Sequence, residues 1–174
     1  MARVGTTIEH PVTGEHIHPQ ADEHFEIVAG TGRFSIDGRE CTATTGQRIV
    51  VAKGTPHFWW NVGRDELHAV IAFRPALRME QFFENFFGLG KAGRTNARGV
   101  PGLLQGALLM REFASEIQTT QPPLGVQRVV LGPLAALGEI LGLKGRYAEY
   151  ESAGDRRPSG SGRRSGEQRE MVGV

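Results

Sequence analysis

Between Phe25 and Phe73 the chain is cut into short runs of alternating or β-branched character. They read "FEIVAG", "RFSIDG", "RECTA", "QRIVVA", "HFWWN" and "ELHAVIAF". Most are punctuated by glycine, and Asp37-Gly38 sits between two of them as a tight-turn signal. Runs this short, spaced this closely, leave no room for crossover helices and predict an antiparallel barrel or sandwich. Gly30, Gly38, Gly46 and Gly54 are turn glycines on this reading, because no helix follows any of them to make a phosphate site.

Past Arg74-Pro75 the period changes. "MEQFFENFFGL" places Met79, Phe82, Phe83, Phe86 and Phe87 at helical spacing and reaches Gly88, which reads as a helix stop. This aromatic stripe is expected to be an apolar face packed on the barrel or on a partner, not a ligand box. A second helix is predicted from Pro101 through Leu104 and Leu108 to Ile117. A third, in "LGVQRVVLGPLAALGEILGL", should be kinked or broken at Pro133. From Glu151 onward the composition is Gly, Ser and Arg with little to bury, which predicts a disordered tail. The expected division is therefore a β domain at 1–75, a helical extension at 76–150 and a tail at 151–174.

A net charge of +1 gives no electrostatic reason to expect nucleic acid or anionic membrane as a partner. The N-terminal residues lack the apolar core of a signal peptide, and Arg128, Pro133 and Glu139 interrupt the best candidate span. Cys41 is the only cysteine, so an internal disulfide is impossible and a reducing, cytoplasmic setting is expected. Its place in a strand predicts burial. The expected partners are a small-molecule substrate or ligand and a second copy of the chain.

The chemistry concentrates in two places. "HIHPQADE" offers His16 and His18, two apart and so on one face of a strand, followed by Glu23. On the next strand Glu23, Phe25, Ile27 and Ala29 share a face, which sets the carboxylate at the end of an apolar row. "GTPHFWWN" then places His57 after a Pro-bearing turn, with Trp59 and Asn61 on its face. Three imidazoles and a carboxylate converging inside a barrel would suit Fe, Mn, Ni, Co, Cu or Zn. The alternative is a polar barrel interior that holds no metal. Phe25, Ile27, Trp59 and Asn61 are the candidate substrate-pocket residues, although core packing also accounts for Trp59 and Trp60. His10, His24 and His68 are expected on the surface or in loops.

Taken together, these two stretches resemble the paired motifs of the cupin superfamily. His16, His18, Glu23 and Gly30 match the first motif. Gly46, Gly54, His57 and Asn61 match the second, with Ala52 where the pattern has proline. The later helical stretches are similar to the extension of a group of small bacterial single-domain cupins. The resemblance implies a mainly β, double-stranded β-helix (jelly-roll) barrel followed by two or three helices. It also implies one divalent metal held by His16, His18, Glu23 and His57.

"HPVTGE" resembles an opening after which such cupins carry further strands before the first motif. Strand-forming residues are scarce before His16, and Pro11 and Gly14 disfavour a central strand. A shortened N-terminal part follows as the expectation, with His16 the least securely held ligand. The function implied is a metal-dependent, dioxygenase-like (quercetin-dioxygenase-like) oxidoreductase, favoured over an isomerase, with Glu23 as ligand and proton acceptor. A non-catalytic binding or sensing module and a vestigial structural barrel are the alternatives.

Overall fold

The computed structural model describes residues 2–6, 14–97 and 99–151. The expectations for His10 and for residues 152–174 lie outside that range.

Two antiparallel sheets face each other. One has the order β1 (Ala2–Thr6), β8 (Leu67–Arg74), β3 (Asp22–Ala29), β6 (Arg48–Val51). The other runs β5 (Arg39–Thr44), β4 (Thr31–Ile36), β7 (His57–Asn61), β2 (His16–Ile17), β9 (Gln118–Thr119). Along β3 the burial alternates as the side chains alternate. Glu23, Phe25 and Ile27 are buried, while His24 and Glu26 are only partly covered. The two inner faces meet in a core built on Phe25, Ile27, Phe34, Trp59, Leu67 and Ile71. Phe25 packs edge-on against both Phe34 and Trp59.

The β4–β5 connection shows how the register is set. Ile36 pairs with Arg39, so only Asp37 and Gly38 form the loop. Both take positive φ, 50° and 71°, as the two-residue hairpin with the right twist requires. The turn places Phe34 opposite Cys41. Cys41, expected to be buried, is instead exposed: β5 is the edge strand of its sheet, and of its residues only Ala43 is covered.

The chain ahead of the first histidine also departs from expectation. Ala2–Thr6 pairs along β8 from Ile71 to Leu67, so a strand does precede His16. The exposed side of β2 is closed from the other end of the chain. His16 pairs with His57 on one side and with Thr119 of β9 on the other.

Three helices follow the barrel: α1 (Met79–Lys91), α2 (Leu103–Glu112) and α3 (Leu124–Ile140), the last with Pro133 inside it. The helix predicted to reach Ile117 ends at Glu112, and the chain then turns so that Ile117 enters a second apolar cluster with Met79, Phe82, Leu109, Phe113 and Tyr147. Phe73, near the end of β8, touches this cluster and the barrel core alike. Gly88 does not stop α1, which runs on to Lys91. It is glycine for space, since a Cβ there would stand 2.4 Å from the Tyr150 ring.

Composition assigns Glu151 to the tail, yet it is buried. It accepts hydrogen bonds from Arg146 (2.5 and 2.6 Å) and from Asn85 (3.1 Å), tying the last described residues to α1. The Arg146 guanidinium holds the Glu151 carboxyl below its ordinary value of 4.5; burial opposes the shift and Asn85 adds to it. A depressed carboxyl gives stability that is present above pH 4.5 and is lost as pH falls through the lower folded value. Acidification below that point should therefore loosen the helical extension first. Tyrosines 147 and 150 are the only two in the chain and report on that region, whereas Trp59 and Trp60 report on the barrel. The acid-induced tyrosine change should be absent in Glu151→Gln, while the tryptophan signal responds alike in both proteins.

Candidate metal centre

His16, His18, Glu23 and His57 are all buried and offer ligand atoms that lie within 4.8 Å of one another. Each is placed by a different local device. His16 is the first residue of β2, clamped between β7 and β9. His18 follows it on the same face, and its carbonyl accepts a 2.8 Å hydrogen bond from the Gly54 N–H, which joins the two histidine-bearing segments. Glu23 is near the start of β3, and His57 opens β7 after the Gly54–Pro56 turn. The imidazoles meet as a group, with ring centroids 4.4 Å apart for His16 and His57, 5.1 Å for His16 and His18, and 5.4 Å for His18 and His57.

All three rings are oriented in the same way. Nδ1 of His16 bonds the Gly14 carbonyl at 2.9 Å, Nδ1 of His18 the Glu116 carbonyl at 2.7 Å, and Nδ1 of His57 the Thr55 carbonyl at 2.9 Å. A carbonyl only accepts, so each Nδ1 carries a proton and each Nε2 is directed into the cluster. This is the outer support that metal-binding histidines use to fix tautomer and ring angle.

Glu23 Oε2 is 2.6 Å from His57 Nε2 and 3.2 Å from His18 Nε2. Burial alone would raise the Glu23 carboxyl, but the His18 and His57 contacts outweigh it and hold it down at about 2. Burial likewise works against charge on His57, yet the Glu23 carboxylate raises its pKa. His16 is pushed down to about 4, first by burial and then by its neighbours His57 and His18.

His18 Nε2 is the telling atom. It is buried without a hydrogen-bond partner, and its neighbour at 3.2 Å is a carboxylate oxygen. A neutral Nε2 facing a carboxylate in a dry interior is satisfied by positive charge placed there, either a proton on the ring or a bound cation. Ligand atoms around one ion with bonds of about 2.1 Å stand roughly 3 Å from one another, close to the separations Glu23 makes. The residues present fit a divalent metal.

A cavity of about 70 Å³ opens beside the cluster. Its walls are His16, His18, Glu23, Trp59, Ile71 and Ile117, with Phe82, Phe83, Phe86 and Phe87 of α1. Of the four candidate pocket residues only Trp59 lines it. Phe25 and Ile27 share the Glu23 face but lie deeper, where Phe34 and Trp59 fill the interior. Asn61 is four residues beyond His57, about 13 Å along the strand. Its side chain bonds the Asp65 carbonyl and the Gly63 N–H, closing the β7–β8 turn. The aromatic stripe of α1 does pack on the barrel as its spacing suggests, and in doing so it becomes a wall of the cavity. A larger depression of about 1010 Å³ lies outside these phenylalanines and touches none of the four polar residues.

The expected surface positions hold for His68, exposed and bonded to Glu66 at 2.9 Å, and His24 is partly covered on the outer face of β3. Among the described residues, no helix is long and apolar enough to cross a membrane.

Comparison with known proteins agrees with the motif reading. Residues 6–73 match the model of the cupin domain family, a span that contains all four cluster residues. No curated protein matches. Solved structures that the chain resembles include a cupin-2 domain-containing protein from Shewanella frigidimarina (25% identity, 40% of this chain and 63% of that one, TM-score 0.34). Others are a protein described as a predicted oxalate decarboxylase from Thermotoga maritima (24%, 41% and 61%, TM-score 0.39) and an uncharacterised double-stranded β-helix protein from Klebsiella pneumoniae (14%, 41% and 57%, TM-score 0.37). The aligned part spans less than two thirds of each of these chains. With the first motif running from β2 to β3 and the second ending on β7, across two antiparallel sheets, residues 6–73 form a domain of the cupin family.

Proposed function

We propose that this protein is a metal-dependent enzyme that acts on a small, oxygen-bearing apolar molecule, in the manner of a dioxygenase. The observation that carries the reading is the orphaned Nε2 of His18, facing the Glu23 carboxylate inside a cavity walled by phenylalanine. His16, His18, Glu23 and His57 would hold the ion. Once bound, a divalent metal supplies Lewis acidity toward a substrate oxygen and, where redox-active, electron exchange with O₂.

The chain's own residues do the rest. The three backbone carbonyls keep the imidazoles in one tautomer, so no reorganisation is needed when a ligand arrives. Glu23 is the one carboxylate among the four cluster residues and is the group placed to accept a proton from a bound hydroxyl. Phe82, Phe83, Phe86 and Phe87 exclude water, which strengthens each polar interaction inside. They also favour a flat apolar substrate body.

The small cavity volume supports a second reading, a binding or sensing module. About 70 Å³ is well under the ~300 Å³ of ordinary ligand pockets, so anything larger than O₂ or a few-atom ligand must displace Phe83 or Phe87. Oxygen uptake by the protein loaded in turn with Fe, Mn, Ni, Co and Cu, on phenolic and 1,3-diketone substrates, separates the two. Uptake with product that disappears in Glu23→Gln is the expected result. Saturable ligand binding with no product under any metal would replace the enzyme with the sensing module.

A further inference from the structure

We infer that α3 is a self-association surface, and that its occupant is α3 of a second copy of this chain. The helix is apolar on two sides. One side, carrying Gln127, Ala135 and Gly138, is buried, and Gly138 packs against Leu108 and the Leu104 carbonyl of α2. The other side is open to solvent. Val126, Val130, Pro133, Leu137 and Ile140 are all exposed and follow one another at intervals of 4, 3, 4 and 3 residues. That is the seam spacing by which one helix packs along another. Val129 (73% exposed) flanks the seam, Ile140 (80%) ends it, and Leu141 (63%) continues it past the helix end.

A helix that is apolar nearly all round is ordinarily covered on all sides. Together these side chains present roughly 600–700 Å² of apolar surface, near the ~800 Å² that each partner gives to a stable interface. The other candidates for cover are poorer. Residues 152–174 contain only Met171, Val172 and Val174 as large apolar side chains, too few to cover 17 residues of helix. A membrane span is excluded by the length of the helix. A foreign partner would need a selecting charge, and the stripe has none. By position Glu139 does not fall on it, and Glu139 is engaged by Arg111. A regular apolar seam of this size can pack along a copy of itself, and a two-fold axis closes such a pair.

The test uses the full chain and Val130→Glu/Leu137→Glu, two exposed positions whose change leaves the monomer's own packing alone. Sedimentation equilibrium from low micromolar to near-millimolar concentration should give two chains for the natural sequence, dissociating on dilution. The double variant should give half that mass throughout, with unchanged far-UV circular dichroism and unchanged metal content. A natural protein that stays a single chain at all concentrations overturns the inference. So does a double variant that still pairs, or an open-ended polymer, since a two-fold contact stops at two. Because metal content is read on the same samples, failure here is distinguishable from failure of the metal-site reading.

Discussion

Replacing His57 with alanine should leave the purified protein without bound metal and without the rise in melting temperature expected of the metal-loaded natural protein. His57 contributes one of three imidazoles and makes the 2.6 Å contact to Glu23, so its loss removes a ligand and strands a buried carboxylate. The first effect is read by elemental analysis. Metal at a hundredfold excess over Kd stabilises a protein by about 2.7 kcal/mol, and the variant should show none of it. The second effect lowers the stability of the metal-free protein, since removing one member of a buried pair costs roughly 3–5 kcal/mol. The double variant His57→Ala/Glu23→Gln removes the stranded charge. It should regain part of that stability and still bind nothing, which separates ligand loss from misfolding. Full occupancy in His57→Ala would sink the site. His16→Ala is expected to weaken binding by more than ~100-fold, beyond what outer partners of a ligand usually cost. That differs from the expectation for an insecure ligand, because β9 and β7 grip His16 from both sides.

The second large effect lies far from the cluster in sequence. Phe113→Ala should destabilise the protein by about 3–5 kcal/mol and also weaken metal binding in the molecules that fold. Phe113 is fully buried, meets Phe82 edge-on, and carries the Arg78 guanidinium over its ring at 5.0 Å. Its carbonyl receives the N–H groups of Glu116 and Ile117. The turn so formed presents the Glu116 carbonyl to His18 and sets Ile117 in the cavity wall. Arg78 holds the same turn through the Glu116 carboxylate at 3.1 Å and through Glu112. Leu89→Ala is the control. It removes a fully buried side chain from the same helical cluster, away from the turn, and should cost stability with metal affinity unchanged. Equal loss of affinity in both variants would mean that the helical extension matters to the cluster only through overall stability.

The four cluster residues were legible in the sequence because each sits in a short motif whose spacing acts locally. Two residues along a strand keep a face, and a Pro-bearing turn starts the next strand. Asp37-Gly38 was legible for the same reason, as a turn whose chemistry is complete within two residues. What could not be read is what depends on distant parts of the chain meeting. β9 is only Gln118 and Thr119, with no strand pattern of its own, and exists because β2 offers it an edge. The phenylalanines of α1 looked like packing and are packing; that they also close a polar cavity follows from where the helix docks. Phe25 and Ile27 were assigned to the pocket by face alone, which fixes direction and not depth. Cys41 was misplaced because strand membership predicts burial only for an inner strand.

The bond from His18 to the Glu116 carbonyl spans 98 positions. During synthesis, at about 5–20 residues per second, His18 is made some 5–20 s before its support exists. Strands β3 to β8 can pair in that interval, so a barrel with its apolar core can form ahead of a finished ligand cluster. The proposed ion site would therefore be completed late, when the turn after α2 seats against β2. A nascent chain stopped near residue 100 would keep all four candidate ligands but lack the outer support of His18, and should hold metal more weakly than the full chain. The helical extension would in this sense set the moment at which the proposed site becomes complete.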